Sequence, residues 1–352
     1  MSKWKRRQAA QKFKGKAARA LKRLGAGLAA LLLAASLLIT VGERRGWPTP
    51  TWKQLYARLG VGRTVRVPAE AEGAATRVHF LDVGQADAAL LEQDGHFALL
   101  DAGGRETQDA VADYLRAAGV EELDYLILTH THSDHLGGMR YILRQFPVKQ
   151  VLLPDFDKAP LEYRATLDSF LAEAEAQGVP RHTMRQGETY LLGRGTLTVL
   201  LDGIESDNAN NICPVMRFDA PHLRCLFTGD AEEPVEQAAL AARAKLRADV
   251  FAAGHHGSST SNGEAFLKKV RPDLVVVSCG DQNDYGHPHA APLRTFKAVG
   301  AQVCRTDEMG NIVVYVDGDE IIQVAADRPA PGAPSALRPA AEKIAARLFF
   351  RP

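Results

Sequence analysis

The stretch "THTHSDHLGG", from Thr129 to Gly138, places three histidines and one aspartate within six positions directly after the apolar run "LDYLILT". The apolar run predicts a strand, and the glycine pair at the far end precedes a predicted helix. The polar side chains therefore lie on a short, sharply turning loop. A loop can converge side chains that a straight strand would point to opposite faces, so we expect them to share one site. The fold must place a polar pocket at this strand end.

Four side chains in this loop are of metal-binding type, namely His130, His132, Asp134 and His135. Imidazole and carboxylate groups together suit Zn(II), Mn(II) or Fe(II). Four such groups in six residues exceed the number that one ion normally takes from one loop, so the spacing indicates two ions. A solvated polar turn is the alternative for any single histidine, but it is not typical of all four together.

Three further candidates close apolar runs elsewhere in the chain. Asp101 ends "FALLDAGG", Asp230 ends "LRCLFTGD" and His255 follows "DVFAAG". An unpaired charge is costly next to a buried strand, so each is expected to have a partner, and Asp230 is suited to bridging two cations. For Asp101 a turn or helix-capping role is the alternative.

Between residues 76 and 326, short apolar runs of β type alternate with helical stretches. Several strands come first, then strand–helix alternation, and then the same order again. This order predicts an α/β fold in which two sheets are covered by helices on their outer faces. The chain has 352 residues, of which 46% are hydrophobic, enough for a substantial core.

The N-terminal region predicts a membrane anchor. Residues 1–23 carry ten Lys/Arg and no Asp/Glu, and the eighteen residues from Leu24 to Val41 are uncharged. As a helix this run would span roughly 27 Å, close to the hydrocarbon core of about 30 Å. The basic side is expected in the cytoplasm and the remaining chain outside, as a single-pass membrane protein. A cleaved signal peptide is the alternative, and it would leave the protein secreted.

The composition of the remaining segments sets the other boundaries. Residues 24–352 contain 33 Lys/Arg and 42 Asp/Glu, so this part of the chain is acidic. An acidic net charge argues against broad, unaided binding to a phosphate backbone. The predicted segments are a basic cytoplasmic segment at 1–23, a transmembrane signal anchor at 24–42, a linker at 43–75, a folded domain at 76–326 and a Pro/Ala-rich tail at 327–352.

The motif "THTHSDHLGG" matches the H-x-H-x-D-H signature of the metallo-β-lactamase superfamily. The region from about Arg77 to Val324 resembles the metallo-β-lactamase-like domain of the ComEC competence-protein group. The supporting stretches "HFLDVGQADAALLE", "LLDAGG", "LFTGD", "GHHGSSTSNGEAF" and "YGHPHAAPLRTF" occur in the order of that family. The resemblance implies a metallo-β-lactamase-like hydrolase domain at 76–326, an αββα sandwich with a dinuclear metal site at one edge of the sheets.

The resemblance also implies which residues bind the two divalent ions, for which zinc and manganese are expected. The first ion is assigned to His130 and His132, the second to Asp134, His135 and His255, and Asp230 is assigned as the bridge.

The first ion lacks one ligand that the family usually provides. Superfamily members usually supply another histidine from the region before "LFTGD", where this chain has "SDNANNICPVMRF". His222 is close in sequence but lies in a predicted hairpin turn. The first site is therefore weaker, uses Asn210 or Asn211, or fills with water. Cys213 departs from the Asn-Asn-x-Ser pattern of the group, and its thiol is either a soft ligand or a small buried core residue.

The expected chemistry is hydrolysis by a metal-bound hydroxide, because two cations acidify water and stabilise negative charge on the attacked centre. Asp134 is expected to be essential as a carboxylate of the second site. The acid for the leaving oxygen is expected among His256, His287 and His289, with His289 preferred. For His256 and His287 an orienting role beside a ligand is the alternative. Substrate-binding groups are expected at Ser258, Ser259, Asn283, Tyr285 and His287.

These expectations describe a membrane-anchored, metal-dependent phosphodiesterase or nuclease that acts outside the cytoplasm on DNA, nucleotides or a cell-wall polymer. A β-lactam or thioester hydrolase is the alternative enzyme, and a surface binding module with weak catalysis is the alternative outside enzymes. No obligate protein partner is inferred. The four cysteines show no C-x-x-C spacing, so they indicate neither a zinc ribbon nor a redox motif, and their disulfide state stays open.

Overall fold

The computed structural model describes residues 27, 33–42 and 67–328. The chain divides into two units, residues 1–64 and 65–352. In the first unit the described residues are helical. No helix in the described part of the chain is both long enough and apolar enough to cross a membrane. The predicted basic segment at 1–23, eight of the nineteen residues of the predicted anchor at 24–42, most of the linker at 43–75 and nearly all of the tail at 327–352 lie outside the described residues.

The second unit contains two mixed β-sheets. Their strands, in chain order, are β1 Thr76–Phe80, β2 Ala89–Gln93, β3 His96–Leu100, β4 Leu123–Ile127, β5 Val148–Leu153, β6 Arg181–Thr183, β7 Thr189–Leu192, β8 Gly195–Leu201, β9 Val215–Ala220, β10 Leu223–Phe227, β11 Val250–Ala252, β12 Leu274–Val277, β13 Gln302–Arg305, β14 Ile312–Val316 and β15 Ile322–Ala326. The first sheet has the order β15-β14-β1-β2-β3-β4-β5-β6, and the second has the order β13-β12-β11-β10-β9-β8-β7.

Each sheet changes from antiparallel to parallel pairing part way across. Strands β15 to β3 pair antiparallel, and β3 to β6 pair parallel. In the second sheet β7 to β10 pair antiparallel, and β10 to β13 pair parallel. A short turn at Asp94 and Gly95, both with positive φ, joins β2 to β3, which is the geometry that tight antiparallel hairpins need.

The helices are amphipathic and pack on the sheets. They are α1 Gln108–Ala117, α2 Ser133–Leu136, α3 Met139–Gln145, α4 Arg164–Ala176, α5 Glu233–Ala241, α6 Glu264–Val270, α7 Ala290–Ala298 and α8 Thr306–Met309. In α1 the buried Val111, Ala112 and Leu115 recur at helical spacing, so one face is apolar. Gly119, with φ 81°, follows the end of this helix and suits the left-handed turn that often terminates one.

Three apolar cores fill the space between the layers. One lies between the two sheets, where Phe80 stacks on Phe227 at 6.2 Å between ring centroids and Phe218 is fully buried. The second joins the first sheet to α1, α3 and α4, and the third joins the second sheet to α5, α6 and α7. The predicted α/β fold, with two sheets and helices on their outer faces, is therefore confirmed.

All four cysteines are free and buried, which yields a direct test of the core. Burial raises the pKa of Cys279 and of Cys304 to about 12 and that of Cys225 well above its usual value, so none forms a reactive thiolate at neutral pH. We expect no maleimide labelling of the native protein, and four labels per chain after denaturation without reductant, by intact mass. Fewer than four labels in the denatured chain would reveal a disulfide and contradict this packing.

Candidate metal centre

The candidate site lies where strand ends of both sheets meet. The loop carrying His130 and His135 follows β4, and the preceding parallel strand β3 leads into Asp101. Asp230 follows β10, and His255 and His256 follow the neighbouring parallel strand β11. The carboxyl ends of parallel strands meet at one edge of a sheet, so each sheet brings its loops to a common edge.

A first cluster consists of His130, His132 and Asp230, whose ligand atoms lie within 4.8 Å of one another. The Nε2 atom of His130 is 3.7 Å from Oδ2 of Asp230. His130 and Asp230 are buried, whereas His132 is partly exposed. This trio offers two imidazoles and one carboxylate, a donor set that suits zinc or manganese.

A second cluster consists of Asp87, His135, His256 and the same Asp230. Oδ1 of Asp230 is 3.3 Å from Nε2 of His135 and 3.7 Å from Nε2 of His256. Asp134 adjoins this cluster, with Oδ2 3.2 Å from Nε2 of His256 and 3.7 Å from Nε2 of His135. Asp230 therefore presents one carboxylate oxygen to each cluster, which is the geometry of a bridging ligand.

Three of these atoms are buried without a hydrogen-bond partner: Nε2 of His130, Nε2 of His135 and Oδ1 of Asp230. Buried polar atoms are rarely left unsatisfied in folded proteins. All three are donor atoms that divalent transition metals prefer, and all three belong to residues of the two clusters. The residues present therefore fit metal ions.

The opposite ring nitrogens are held by protein groups. Nδ1 of His135 donates to Oδ2 of Asp101 at 2.7 Å, and Asp101 also accepts from the backbone N–H of Thr129 at 2.9 Å and from its hydroxyl at 2.7 Å. Nδ1 of His256 donates to the carbonyl of Ser278 at 3.1 Å. Both histidines therefore direct Nε2 into the site, as metal-binding histidines usually do. Asp101 orients His135 of the second cluster and is not itself a member of either cluster.

The charges in the site depend strongly on one another. Burial lowers the pKa of His130 well below its usual value, so this ring is neutral and able to bind an ion. Burial alone would lower the pKa of His256, but Asp230 and Asp87 outweigh it and raise the pKa to about 9. Burial would likewise raise the pKa of Asp230, yet His135 and His256 hold it well below its usual range. Protons therefore supply positive charge that a metal ion would replace on binding.

The two histidines of "GHHG" approach different oxygens of Asp230. The sequence assigns His255 to the second ion, but its Nε2 lies 3.6 Å from Oδ2 of Asp230, the oxygen that faces the first cluster. His256, predicted as an acid, instead lies within the second cluster. Both residues have left-handed backbone conformations, with φ of 50° and 53°, and their ring centroids are 6.2 Å apart. A left-handed pair of this kind is not readable from the sequence, so the sequence could not indicate which oxygen of Asp230 each ring faces.

The two histidines of "YGHPH" contact other groups of the protein. Nδ1 of His289 accepts from the backbone N–H of Ser259 at 2.9 Å, and its Nε2 donates to the carbonyl of Tyr285 at 3.1 Å. This placement leaves His289 without a free ring nitrogen for the predicted acid role. His287 is buried and stacks on Tyr285 and on His256, with ring centroids 5.6 Å and 6.2 Å away. It therefore adjoins the second cluster.

The remaining predicted substrate groups differ in availability. Asn283 donates to the carbonyls of Gly280 and His287 and accepts from the N–H of His287, so it builds the loop. Ser258 is buried, and its hydroxyl is hydrogen-bonded to that of Thr260 at 3.0 Å. The exposed groups are those of Ser259 and Tyr285.

The segment that lacks a histidine offers one free acceptor. Both polar atoms of the Asn211 side-chain amide are hydrogen-bonded. Its Nδ2 donates to the hydroxyl of Ser206 at 3.1 Å, and its Oδ1 accepts from the backbone N–H of Glu232 at 3.2 Å. Asn210 donates to Glu232 at 3.3 Å, and its Oδ1 is buried without a hydrogen-bond partner. Cys213 is fully buried within the apolar core, as the core alternative predicted, and His222 lies in the turn between β9 and β10.

Two residues of the loop between β1 and β2 were missed by sequence reasoning. Asp87 belongs to the second cluster, and burial raises the pKa of its carboxyl group. Gln85 accepts from the N–H of Gly280 at 3.1 Å through Oε1 and contacts Nδ1 of His287 at 3.2 Å through Nε2. The available signal was a carboxylate and an amide in the glycine-containing loop "DVGQADA" directly after a strand.

Residues 81–281 match the metallo-β-lactamase superfamily, and the chain belongs to that superfamily, whose members are mostly hydrolases. The chain is 30% identical over 256 residues to ComE operon protein 3 of Bacillus subtilis (strain 168), covering 67% of this chain and 32% of that one. It is also 30% identical over 261 residues to Recombination protein 2 of Haemophilus influenzae, covering 72% and 31%. The chain thus spans about a third of the length of these relatives. The metallo-β-lactamase fold protein YhfI of Bacillus subtilis superposes with a TM-score of 0.46 at 14% identity, covering 65% of this chain and 96% of that one.

Asn262 holds the loop that carries His255 and His256. Its side chain accepts from the N–H of Gly254 at 3.0 Å and donates to the carbonyls of Gly254 and Ser258 at 2.9 and 3.1 Å. We expect Asn262→Gly, which suits the φ of 67°, to lower the free energy of unfolding by about 2–4 kcal/mol because buried backbone groups lose partners. Urea unfolding would measure this loss.

The matched control is Gln282→Gly. Gln282 also has a positive φ, of 51°, but it is exposed. We expect the free energy of unfolding of this variant to stay within about 0.5 kcal/mol of the wild-type value. Equal losses in the two variants would mean that the Asn262 amide does not stabilise the loop.

Proposed function

We propose that the protein is a metal-dependent phosphodiesterase or nuclease with two divalent ions, zinc or manganese, in its site. The observation that carries the proposal is the buried carboxylate of Asp230, whose two oxygens face separate histidine clusters. Sharing one carboxylate would hold two cations close together. Such a pair stabilises the attacking and leaving oxygens of a phosphodiester displacement and acidifies water.

The second ion would be held by His135, His256 and Asp230, with Asp134 or Asp87 as the further carboxylate. His130, His132 and Asp230 would hold the first ion. Distances of 3.2 to 3.7 Å between these ligand atoms are those expected of side chains that converge on common ions. The competence and recombination names of the relatives support a nucleic-acid phosphodiester over a β-lactam or thioester.

His287 is the best-placed neutral hydrogen-bond donor beside the site. The Oε1 atom of Gln85 accepts from the N–H of Gly280, so its Nε2 must donate to Nδ1 of His287. The proton of the neutral ring is then on Nε2, which can donate to a phosphoryl oxygen. Burial, together with the neighbouring His256 and His289, lowers the pKa of His287 to about 4, so the ring is neutral at physiological pH.

The proposed location is a membrane surface outside the cytoplasm. It rests on the basic residues 1–23 and the uncharged run that follows them in the sequence.

The activity is tested with the full chain on bis-p-nitrophenyl phosphate and single-stranded DNA. We expect hydrolysis that chelation abolishes and that zinc or manganese restores. Asp230→Asn should lower kcat/KM about 100-fold or more, because removing the bridging charge weakens both ion sites. His222→Asn is the control, since this histidine lies in the distant β9–β10 turn and asparagine tolerates its φ of 63°. Turnover of nitrocefin or a thioester without phosphodiester cleavage would contradict the proposal.

The role of Gln85 is tested by Gln85→Glu. A carboxylate can still accept from Gly280 but cannot donate to Nδ1 of His287, so the ring proton is expected to move to Nδ1. We expect kcat to fall about 10- to 100-fold while KM changes little, because a donor in the transition state is lost. Nitrogen NMR of the histidine rings would report the tautomer. Gln282→Glu adds the same charge to the exposed part of the loop after β12, and an equal loss of kcat there would contradict a specific role for Gln85.

A further inference from the structure

We propose that His255 is a ligand of the first ion, completing a site that otherwise has only three ligands. The inference rests on the two-ion centre of the proposed function. The first cluster contains His130, His132 and Asp230, whereas zinc in proteins normally takes four ligands. One position is therefore open to another side chain or to the substrate and solvent.

The carboxylate of Asp230 divides the site into two sides. Its Oδ1 faces His135 and His256, at 3.3 and 3.7 Å from their Nε2 atoms. Its Oδ2 faces His130 at 3.7 Å and His255 at 3.6 Å, again measured to Nε2. His255 thus approaches the same oxygen of Asp230 as His130, although it is adjacent in sequence to His256 and its ring nitrogens are not within 4.8 Å of every ligand atom of the first cluster.

The backbone explains how neighbouring residues reach opposite sides. Both His255 and His256 adopt the left-handed region, which non-glycine residues enter only under constraint. The constraint is visible, because the N–H of His255 donates to the carbonyl of Gly229 at 3.0 Å and Asn262 binds both backbone groups of Gly254. Strained backbone of this kind clusters at functional sites, where it aims side chains.

The other ring nitrogen of His255 is already held. Its Nδ1 lies 3.2 Å from the hydroxyl of Thr260 and 3.5 Å from Oε1 of Glu232. A carboxylate behind a histidine fixes the ring orientation and leaves Nε2 for a metal ion. Glu232 also accepts from the amides of Asn208 and Asn210, at 3.0 and 3.3 Å, so it ties the histidine-free segment to His255.

Two other side chains compete for the open position. Oδ1 of Asn210 is buried and unpaired, and Oε2 of Glu162 lies 3.3 Å from Nε2 of His132. Glu162 is mostly exposed, so an ion bound there would face strong competition from water. An amide oxygen is a weaker zinc ligand than imidazole. His255 is preferred over both because only it combines a free imidazole nitrogen with a supporting carboxylate.

The test measures ion binding by the full chain. Competition with a chelating dye gives the dissociation constants, and metal analysis gives the number of bound ions. Wild-type protein is expected to bind two zinc ions. His255→Gly, which suits the left-handed backbone, should weaken one dissociation constant about 100-fold and leave the other within about twofold. His222→Gly, which removes a histidine of similar backbone conformation from the distant turn, should bind two ions like the wild type.

Pairs of substitutions then show to which ion His255 belongs. His255→Gly with His132→Ala removes two ligands of the same ion, so one ion should remain bound tightly. His255→Gly with His256→Gly removes one ligand from each ion, so neither should remain bound tightly. The reverse pattern would place His255 with the second ion and overturn the assignment. Unchanged ion binding in the His255→Gly variant would also overturn it, as would the binding of fewer than two ions by the wild-type protein.

Binding is measured without substrate, so it separates this inference from the proposed function. Two ions in the expected pattern without phosphodiester cleavage would support His255 as a ligand while contradicting the proposed activity. Substituting Asn210 or Glu162 with alanine should leave both dissociation constants within about twofold. A 100-fold loss in either variant, with His255→Gly unaffected, would assign the open position to that residue instead.

Discussion

The centre depends on one buried carboxylate, that of Asp230. A charge removed from water is tolerated only when other charges and hydrogen-bond donors surround it, and here the surrounding groups are imidazoles from both sheets. Asp230 therefore couples the loop after β4 to the loops after β10 and β11. Without a cation on each side, protonated His135 and His256 must supply the compensating charge. Folding of these loops and binding of cations consequently draw on the same electrostatic interaction.

The loops that surround Asp230 are held by side-chain contacts with backbone groups. Asp101 fixes the start of the β4 loop through Thr129, and Asn262 fixes the "GHHG" turn through Gly254. Glu236 in turn accepts from the backbone N–H groups of Asn262 and Gly263, and burial raises its pKa to about 7. Since that pKa lies above the usual value, the stabilising contribution of protonated Glu236 is complete in acid and is lost as the pH rises through about 7. Neighbouring polar groups thus stiffen the site before any ion binds.

The sequence predicted the parts of this structure that depend on local pattern. Apolar periodicity indicated two sheets with outer helices, and the crowding of His130, His132 and His135 after a strand indicated a metal centre. The positions of the His255 and His256 rings around Asp230 could not be predicted, because they depend on two left-handed residues that sequence pattern does not specify. Contacts between residues far apart in the sequence could not be predicted either. Asp87 joins the second cluster from a loop that lies far from the other ligands in the sequence.

The two sides of Asp230 are chemically unequal, and this inequality bears on function. The second side has two further carboxylates, those of Asp87 and Asp134, whereas the first cluster adds only imidazoles to the shared oxygen. Carboxylates neutralise a divalent cation, while neutral imidazoles leave its charge in place. With the two proposed ions bound, the first side would therefore keep the larger net positive charge and attract an anionic oxygen of the proposed phosphodiester substrate more strongly. Solvent reaches both sides, because the side chains of His132 and His255 on the first side are each 22% exposed and that of Asp134 on the second side is 32% exposed.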